Sequence, residues 1–164
     1  MLYYNYINIC LKEEILLLPI IKYPGGKKNE ISTFKDWIPK EFDTYIEPFV
    51  GGGAVYFHLN HKKNIINDIN TDLTSFYEVI KKDPSSLINE LKKMKNTKEF
   101  YFKIREAFNK NDTSEYSKEA MFYYLNRTCY GGIVRYNSKK EFNTPFGKYA
   151  AYKPWEYISD KPYR

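Results

Sequence analysis

Three consecutive glycines between a short apolar segment and a helical one constrain the fold of this 164-residue chain more than any other feature. Residues 44–47 predict a short buried strand, residues 51–53 a tight turn, and residues 54–60 a helix. Glycines at such a turn let backbone N–H groups approach a ligand at the positive end of the helix. The order of elements therefore favours an α/β fold with a ligand site at the turn.

A second predicted strand, residues 64–68, ends in Asp68, which lies 21 positions after Glu47. Doubly wound nucleotide sites place an acid on the ribose hydroxyls at this spacing. The glycine pattern is neither the Gly-x-Gly-x-x-Gly of a dinucleotide site nor the Gly-Lys-Ser/Thr ending of a P-loop, which argues against NAD and against ATP hydrolysis. We expect a nucleoside ligand. An alternative stays open, in which the glycines only form a tight turn and Asp68 only caps the next helix.

Helical patterns dominate the middle of the chain. Apolar spacing predicts helices over residues 72–82, 85–95, 98–109 and 115–129, and glycine and proline signals then predict a β-hairpin or an ordered loop over 130–143. A basic loop at residues 22–28 is predicted to lead into a helix that Pro39 ends. Residues 1–18 show no clear period.

Composition narrows the function classes. The chain has 26 Lys and Arg against 20 Asp and Glu, a net charge of +6, which is compatible with a polyanionic partner. Two distant cysteines and two histidines argue against a zinc site and indicate a reducing, cytoplasmic setting. The longest apolar run, residues 15–21, is interrupted by Pro19 and falls short of the roughly 20 residues of a membrane span. We therefore expect neither a metal nor a membrane.

Residues 126–137 contain two arginines, two tyrosines and two asparagines around a glycine pair. Arginine can pair with guanine, asparagine with adenine, and tyrosine can stack on bases, so the segment predicts a nucleic-acid interface. The alternative is an aromatic-rich hairpin that covers the core. Lys27, in the Gly25-Gly26-Lys27 loop, could pair with a carboxylate or phosphate of a ligand, pair with an acid of the chain itself, or be a solvated lysine on a turn.

Four motifs occur in the order found in the Dam-type (D12 class) N6-adenine-specific DNA methyltransferases, which the chain resembles over about residues 20–150. They are Lys22-Tyr23-Pro24-Gly25-Gly26-Lys27, Glu47-Pro48-Phe49-Val50-Gly51-Gly52-Gly53-Ala54-Val55, Asn67-Asp68-Ile69-Asn70-x-Asp72-Leu73, and Asn126-Arg127 through Arg135-Tyr136-Asn137 to Phe142-Asn143-x-Pro145-Phe146-Gly147. The resemblance implies a Rossmann-like fold that binds S-adenosylmethionine, with a helical and hairpin insertion for target recognition in duplex DNA. It divides the chain into an N-terminal extension (1–18), a cofactor-binding part (19–83), a target-recognition region (84–150) and a tail (151–164).

The resemblance also implies roles for single residues. The cofactor-binding residues would be Tyr23, Gly26, Lys27, Glu47, Phe49, Gly51, Gly52, Gly53, Asp68 and Ile69. The DNA-binding residues would be Arg127, Tyr130, Arg135, Tyr136 and Asn137. Gly131 departs from relatives, which often carry asparagine there, so the bases read beside the target stay open.

A larger departure is the missing Asp-Pro-Pro-Tyr loop with which the family transfers the methyl group. The nearest string, residues 159–163, follows Gly147 too closely and has lysine in place of the first proline. We therefore assign no catalytic residue, expect a fold that is incomplete at its C-terminus, and expect no methyl transfer by this chain alone. The strand at 45–47 would then be an exposed apolar edge for another chain to cover.

The sequence thus predicts part of an S-adenosylmethionine-dependent DNA adenine N6-methyltransferase. Two alternatives from another class are a catalytically silent cofactor- or DNA-binding remnant and one half of a split enzyme that a second chain completes. A third is an unrelated small nucleotide-binding protein. The sequence does not predict the recognition site, the oligomeric state or a companion restriction enzyme.

Overall fold

Six α-helices and two short strands form the part of the chain that the computed structural model describes, residues 19–148 and 153–158. The strands are β1 (Tyr45–Glu47) and β2 (Asn64–Ile66), and the helices are α1 (Ile31–Phe34), α2 (Ala54–Leu59), α3 (Thr71–Lys82), α4 (Pro84–Lys93), α5 (Lys98–Lys110) and α6 (Lys118–Thr128). Single 3-10 turns occur at Lys27–Asn29, Lys35–Trp37, Tyr130–Gly132 and Pro154–Tyr157. The predicted extension at 1–18 and most of the tail lie outside the described residues.

The two strands pair in parallel, with Ile46 opposite Ile65. These two side chains are 60% and 58% exposed and lie on one face, because residues in register on parallel strands point the same way. Within the described residues β1 pairs only with β2, so the open apolar strand that we expected is present. A mixed α/β arrangement is confirmed, while the complete Rossmann-like sheet stays a prediction.

Side-chain caps determine where the longer helices begin. Asn70 accepts hydrogen bonds from the backbone of the first turn of α3, and Asp83, Thr97 and Ser117 do the same for α4, α5 and α6. The predicted start of α6 at residue 115 is therefore early, since Ser117 caps a helix that begins at Lys118. The helix predicted before Pro39 is broken into α1 and two 3-10 turns.

Helix α6 is the centre of the core. Every residue from Ala120 to Thr128 is buried, and α3, α4 and α5 all pack against α6. Phe76 of α3 stacks on Tyr123 of α6 with ring centroids 4.9 Å apart, and Ile20 and Ile21 join the same cluster. The predicted cofactor-binding part and the predicted recognition region therefore share one hydrophobic core.

Residues 129–147, which we call the recognition loop, form an ordered loop. Two isolated antiparallel bridges, Cys129 with Phe146 and Tyr136 with Phe142, replace the ladder of a hairpin. Side chains of α5 hold the loop: the Tyr101 hydroxyl donates to the Thr144 carbonyl at 2.7 Å, and the Asn109 amide exchanges two hydrogen bonds with the Phe142 backbone. Of the two predicted forms, the ordered loop is correct.

No described helix has the length and apolarity needed to cross a membrane.

Candidate functional site

Two of the predicted cofactor segments meet at the start of α2. Tyr23 packs on the glycine turn, residues 50–53: a Cβ on Gly51 would lie 3.2 Å from Tyr23 Cδ1, and one on Gly52 would lie 3.1 Å from the Ile21 carbonyl oxygen. Side chains at these glycines would push the two segments apart. The glycines are therefore needed for the close approach of the turn to Tyr23 and Ile21, while an approach to a ligand stays a prediction.

Gly53 closes the turn in a conformation that favours glycine. Its φ is +70°, and a Cβ there would lie 2.9 Å from Phe57 Cε2 and 3.0 Å from the Tyr77 hydroxyl oxygen. That hydroxyl donates to the Gly51 carbonyl at 3.0 Å. Burial raises the pKa of Tyr77 well above its usual value, so the hydroxyl keeps its proton and stays a donor. The apolar spacing that predicts the helix over residues 72–82 gives no sign of this bond.

Asp68 joins the glycine turn to the start of α3. Its Oδ2 accepts from the Gly51 N–H at 2.9 Å, and its Oδ1 accepts from the Asn70 N–H at 3.0 Å. The alternative in which Asp68 is merely the helix cap is wrong, because the Asn70 side chain caps α3. An ionised carboxylate has about four acceptor positions, so Asp68 retains capacity for a ligand.

Glu47 lies at the end of β1, and one of its carboxylate oxygens accepts no hydrogen bond from the described residues. This oxygen, Oε2, is buried. Burial raises the pKa of Glu47, partly opposed by the Tyr45 hydroxyl and the Tyr56 backbone. Buried polar atoms are rarely left without a partner. The free oxygen beside the turn therefore fits a ligand that brings an N–H or O–H group.

The raised pKa of Glu47 predicts a pH-dependent stability. The folded chain binds this proton more tightly than the unfolded chain, so unfolding free energy falls as pH rises from the ordinary value of 4.5 through the raised folded value. We expect Glu47→Gln to raise the melting temperature at pH 7 and to give no comparable gain at pH 4. Melting curves across that range measure it, and an equal gain at both pH values would contradict it.

The remaining predicted cofactor residues differ in placement. Phe49 precedes the glycine turn in the chain, and its side chain is 82% exposed. Ile69 follows Asp68 and is 90% exposed. Both exposed apolar side chains suit contact with an apolar ring of a ligand. The Gly26 N–H donates to the Tyr23 carbonyl and shapes the loop. Lys27 is exposed and forms an ion pair with Glu30 at 2.9 Å, so this geometry does not direct it to the turn. No cluster of three or more potential metal ligands occurs among the described residues.

The predicted DNA-binding residues divide into exposed and inward-facing ones. Tyr130 is 64% exposed, and Arg135 is exposed with its Nε donating to Asn143 Oδ1 at 2.8 Å. Asn137 instead organises the loop by accepting from the Lys139 and Glu141 N–H groups.

Arg127 and Tyr136 require a correction to the predicted set. Arg127 is only 6% exposed, and its Nη1 donates to the Ile20 carbonyl at 3.4 Å. A side chain this deeply buried does not reach a DNA groove, so we leave it out of the DNA contacts. The Tyr136 hydroxyl donates to Asp72 and is also turned inward.

Comparison with known proteins identifies the family of the chain. The sequence profile of the D12 class N6 adenine-specific DNA methyltransferases matches residues 23–164. The chain belongs to this family.

Several curated DNA methyltransferases are similar in sequence to this chain. The type II methyltransferase M.MjaIII of Methanocaldococcus jannaschii is 45% identical over 151 residues, covering 80% of this chain and 52% of the relative. The DNA adenine methylase of Haemophilus influenzae is 36% identical over 144 residues, covering 85% and 50%. The DNA N-6-adenine-methyltransferase of Escherichia phage P1 is 40% identical over 133 residues, covering 79% and 18%. The chain thus spans about half the length, or less, of these relatives.

In this D12 family member Asn126 links the loop of residues 20–27 to the recognition loop, whereas sequence reasoning considered it only as one of two asparagines that could pair with a base. Asn126 is fully buried on α6; its Oδ1 accepts from the Lys22 N–H at 3.1 Å, and its Nδ2 donates to the carbonyls of Lys22 at 2.6 Å and Gly132 at 3.3 Å. Gly132 has φ +68°, and a Cβ there would collide with Lys22 Cδ. The available signal was a polar residue inside an otherwise apolar stretch of α6.

Proposed function

We propose that the chain is the cofactor-binding and target-recognition part of an S-adenosylmethionine-dependent methyltransferase that acts on adenine N6 in duplex DNA. The observation that carries the proposal is the glycine turn packed under Tyr23 and bonded to Asp68, with the unpartnered Glu47 oxygen beside it. Family membership supports the same conclusion. A DNA substrate and the free, buried Cys129 fit a cytoplasmic location.

The residues present fit S-adenosylmethionine. Asp68 would accept from ribose hydroxyls, Glu47 Oε2 would accept from a further donor such as an ammonium group, and Phe49 and Ile69 would contact the adenine ring. The cofactor, when bound, supplies a methyl group on a positively charged sulfonium. The carboxylates of Glu47 and Asp68 also favour a cation at this place over a dinucleotide phosphate.

On the DNA side, Tyr130 and Arg135 carry the proposal. An exposed arginine can pair with guanine in the major groove, and an exposed tyrosine can stack on or wedge between bases. Chemistry on a base within a duplex requires that the base leave the stack, and an aromatic wedge lowers the free energy needed for this step.

A second candidate is one half of a split enzyme. The exposed Ile46 and Ile65 pair favours it, because a helix packed on this face of the sheet would bury both side chains. The Asp-Pro-Pro-Tyr loop would then be supplied by the chain that covers this face. The tagged chain can be purified from its host and the co-purifying polypeptides sequenced. A second polypeptide that carries this motif would distinguish the split enzyme from a silent binding remnant.

A thermal melt of the full chain with and without S-adenosylmethionine tests the proposed cofactor site. A ligand that binds only the folded state adds about 2.7 kcal/mol of stability at 100 times its Kd, so the melting temperature should rise with dose. NAD serves as the control ligand and should leave the midpoint unchanged. A cooperative melt that S-adenosylmethionine does not shift would overturn the proposal.

For the DNA proposal we expect Arg135→Ala to relax sequence discrimination. The preferred duplex is first selected by binding of the unmodified chain to a pool of random DNA sequences. The affinity for this duplex is then compared with the affinity for the unselected pool. The substitution should reduce the preference for the enriched duplex by about 1 to 3 kcal/mol and leave binding to the pool nearly intact. Lys139→Ala, which removes an exposed cation from the same loop, should weaken both equally. Equal losses for Arg135→Ala would make Arg135 a phosphate contact.

A further inference from the structure

Tyr136 reaches from the recognition loop to the beginning of α3. Its hydroxyl donates to Asp72 Oδ2 at 3.0 Å, and its ring packs edge-on against Phe142 with centroids 5.9 Å apart. Burial and the nearby Asp72 charge both raise the pKa of Tyr136. The hydroxyl therefore keeps its proton at neutral pH and donates steadily to the carboxylate.

Asp72 is connected in turn to the candidate cofactor site. It lies in the first turn of α3, where its N–H donates to the capping Asn70 side chain at 3.1 Å. The Asn70 N–H donates to Asp68 Oδ1 at 3.0 Å, and Lys118 holds the other Asp72 oxygen in an ion pair at 3.2 Å. A continuous set of hydrogen bonds thus runs from Asp68 through Asn70 and Asp72 to Tyr136.

On the loop side, Tyr136 stands between Arg135 and Asn137. Its bridge with Phe142 and the Arg135–Asn143 hydrogen bond belong to the same pair of loop segments. The Asn143 N–H also donates to the Arg135 carbonyl at 3.1 Å. Tyr136 and Arg135 are therefore anchored to neighbouring residues of the same loop segment, Tyr136 to Phe142 and Arg135 to Asn143.

We propose that Tyr136 is a positioning residue that couples the cofactor site to the DNA-reading Arg135, instead of contacting DNA itself. The inference rests on the proposed function. Ordering of Asp68 by a bound cofactor also orders Asn70 and the first turn of α3, and the Tyr136 hydroxyl transmits this order to the recognition loop. Because coupling is reciprocal, DNA held by the loop strengthens cofactor binding by the same factor.

Amide hydrogen exchange of the full chain with and without S-adenosylmethionine tests this coupling. In the unmodified chain the cofactor should slow exchange at the glycine turn and across the recognition loop. Tyr136→Phe keeps the ring and removes only the hydroxyl. In this variant the cofactor should still slow exchange at the turn. The factor by which it slows exchange in the loop should be about tenfold smaller than in the unmodified chain, as expected for the loss of one hydrogen bond to a charged group.

Tyr124→Phe is the matched control, since its hydroxyl donates to the Lys95 carbonyl at 2.8 Å and not to α3. This control should retain the slowing in both places. Equal loop protection in Tyr136→Phe and the unmodified chain would overturn the coupling while leaving the proposed function intact. Absence of S-adenosylmethionine binding to the unmodified chain would overturn the proposed function, and the coupling with it.

Discussion

Asp68→Ala is expected to weaken S-adenosylmethionine binding by at least about 1.5 to 3 kcal/mol, the range for a hydrogen bond to a charged group. The loss includes the ribose contact proposed for this carboxylate and the support that Asp68 Oδ2 gives to the Gly51 N–H. Calorimetric titration of the purified chain measures the change in Kd.

The matched control for this change is Asp112→Ala. Asp112 is exposed in the loop after α5, so its removal changes the net charge equally without touching the glycine turn. We expect its Kd to equal that of the unmodified chain. If Asp68→Ala leaves the Kd for S-adenosylmethionine unaltered, Asp68 does not contribute to cofactor binding.

Asn126→Ala is expected to lower the free energy of unfolding by about 3 kcal/mol, because each buried donor or acceptor left without a partner costs about 1 to 3 kcal/mol. The groups that lose this partner are the part-buried N–H and carbonyl of Lys22 and the buried carbonyl of Gly132, which is why the expected loss lies at the low end of the range for three groups. Urea denaturation measures the change.

Asn89→Ala provides the comparison, since Asn89 is exposed on α4 and its loss should alter stability by less than about 0.5 kcal/mol. A similar small change in Asn126→Ala would mean that water replaces the Asn126 hydrogen bonds, and that the two loops are not held together by this side chain.

Elements set by local signals were predictable from the sequence. Helices α3, α4 and α5 each have an apolar face at helical spacing and a polar cap in front, so their bounds differ from expectation by only one or two residues. The glycine turn follows from the three glycines themselves, and the proximity of Asp68 follows from the rule that neighbouring parallel strands end at the same edge.

Features that depend on contacts between distant segments were not predictable. The recognition loop is held by Tyr101 and Asn109 of α5, a contact that no local pattern in residues 130–143 encodes. Arg127 has the same chemistry as an exposed DNA contact, and only the packing of Ile20 beside α6 shows that it faces inward. Tyr136 was singled out for its aromatic ring, whereas its placement depends on Asp72, 64 positions away.

The complete burial of α6 from Ala120 onward has a consequence for how this chain tolerates mutation. An exposed helix accepts substitutions on one face, so its tolerance to change rises and falls every three to four residues. From Ala120 to Thr128 no face is exposed, and a saturation screen should find a flat, uniformly low tolerance there, against a clear period along α4 and α5. Sequence drift among variants of this chain would accordingly accumulate around α6 and leave α6 itself nearly unchanged.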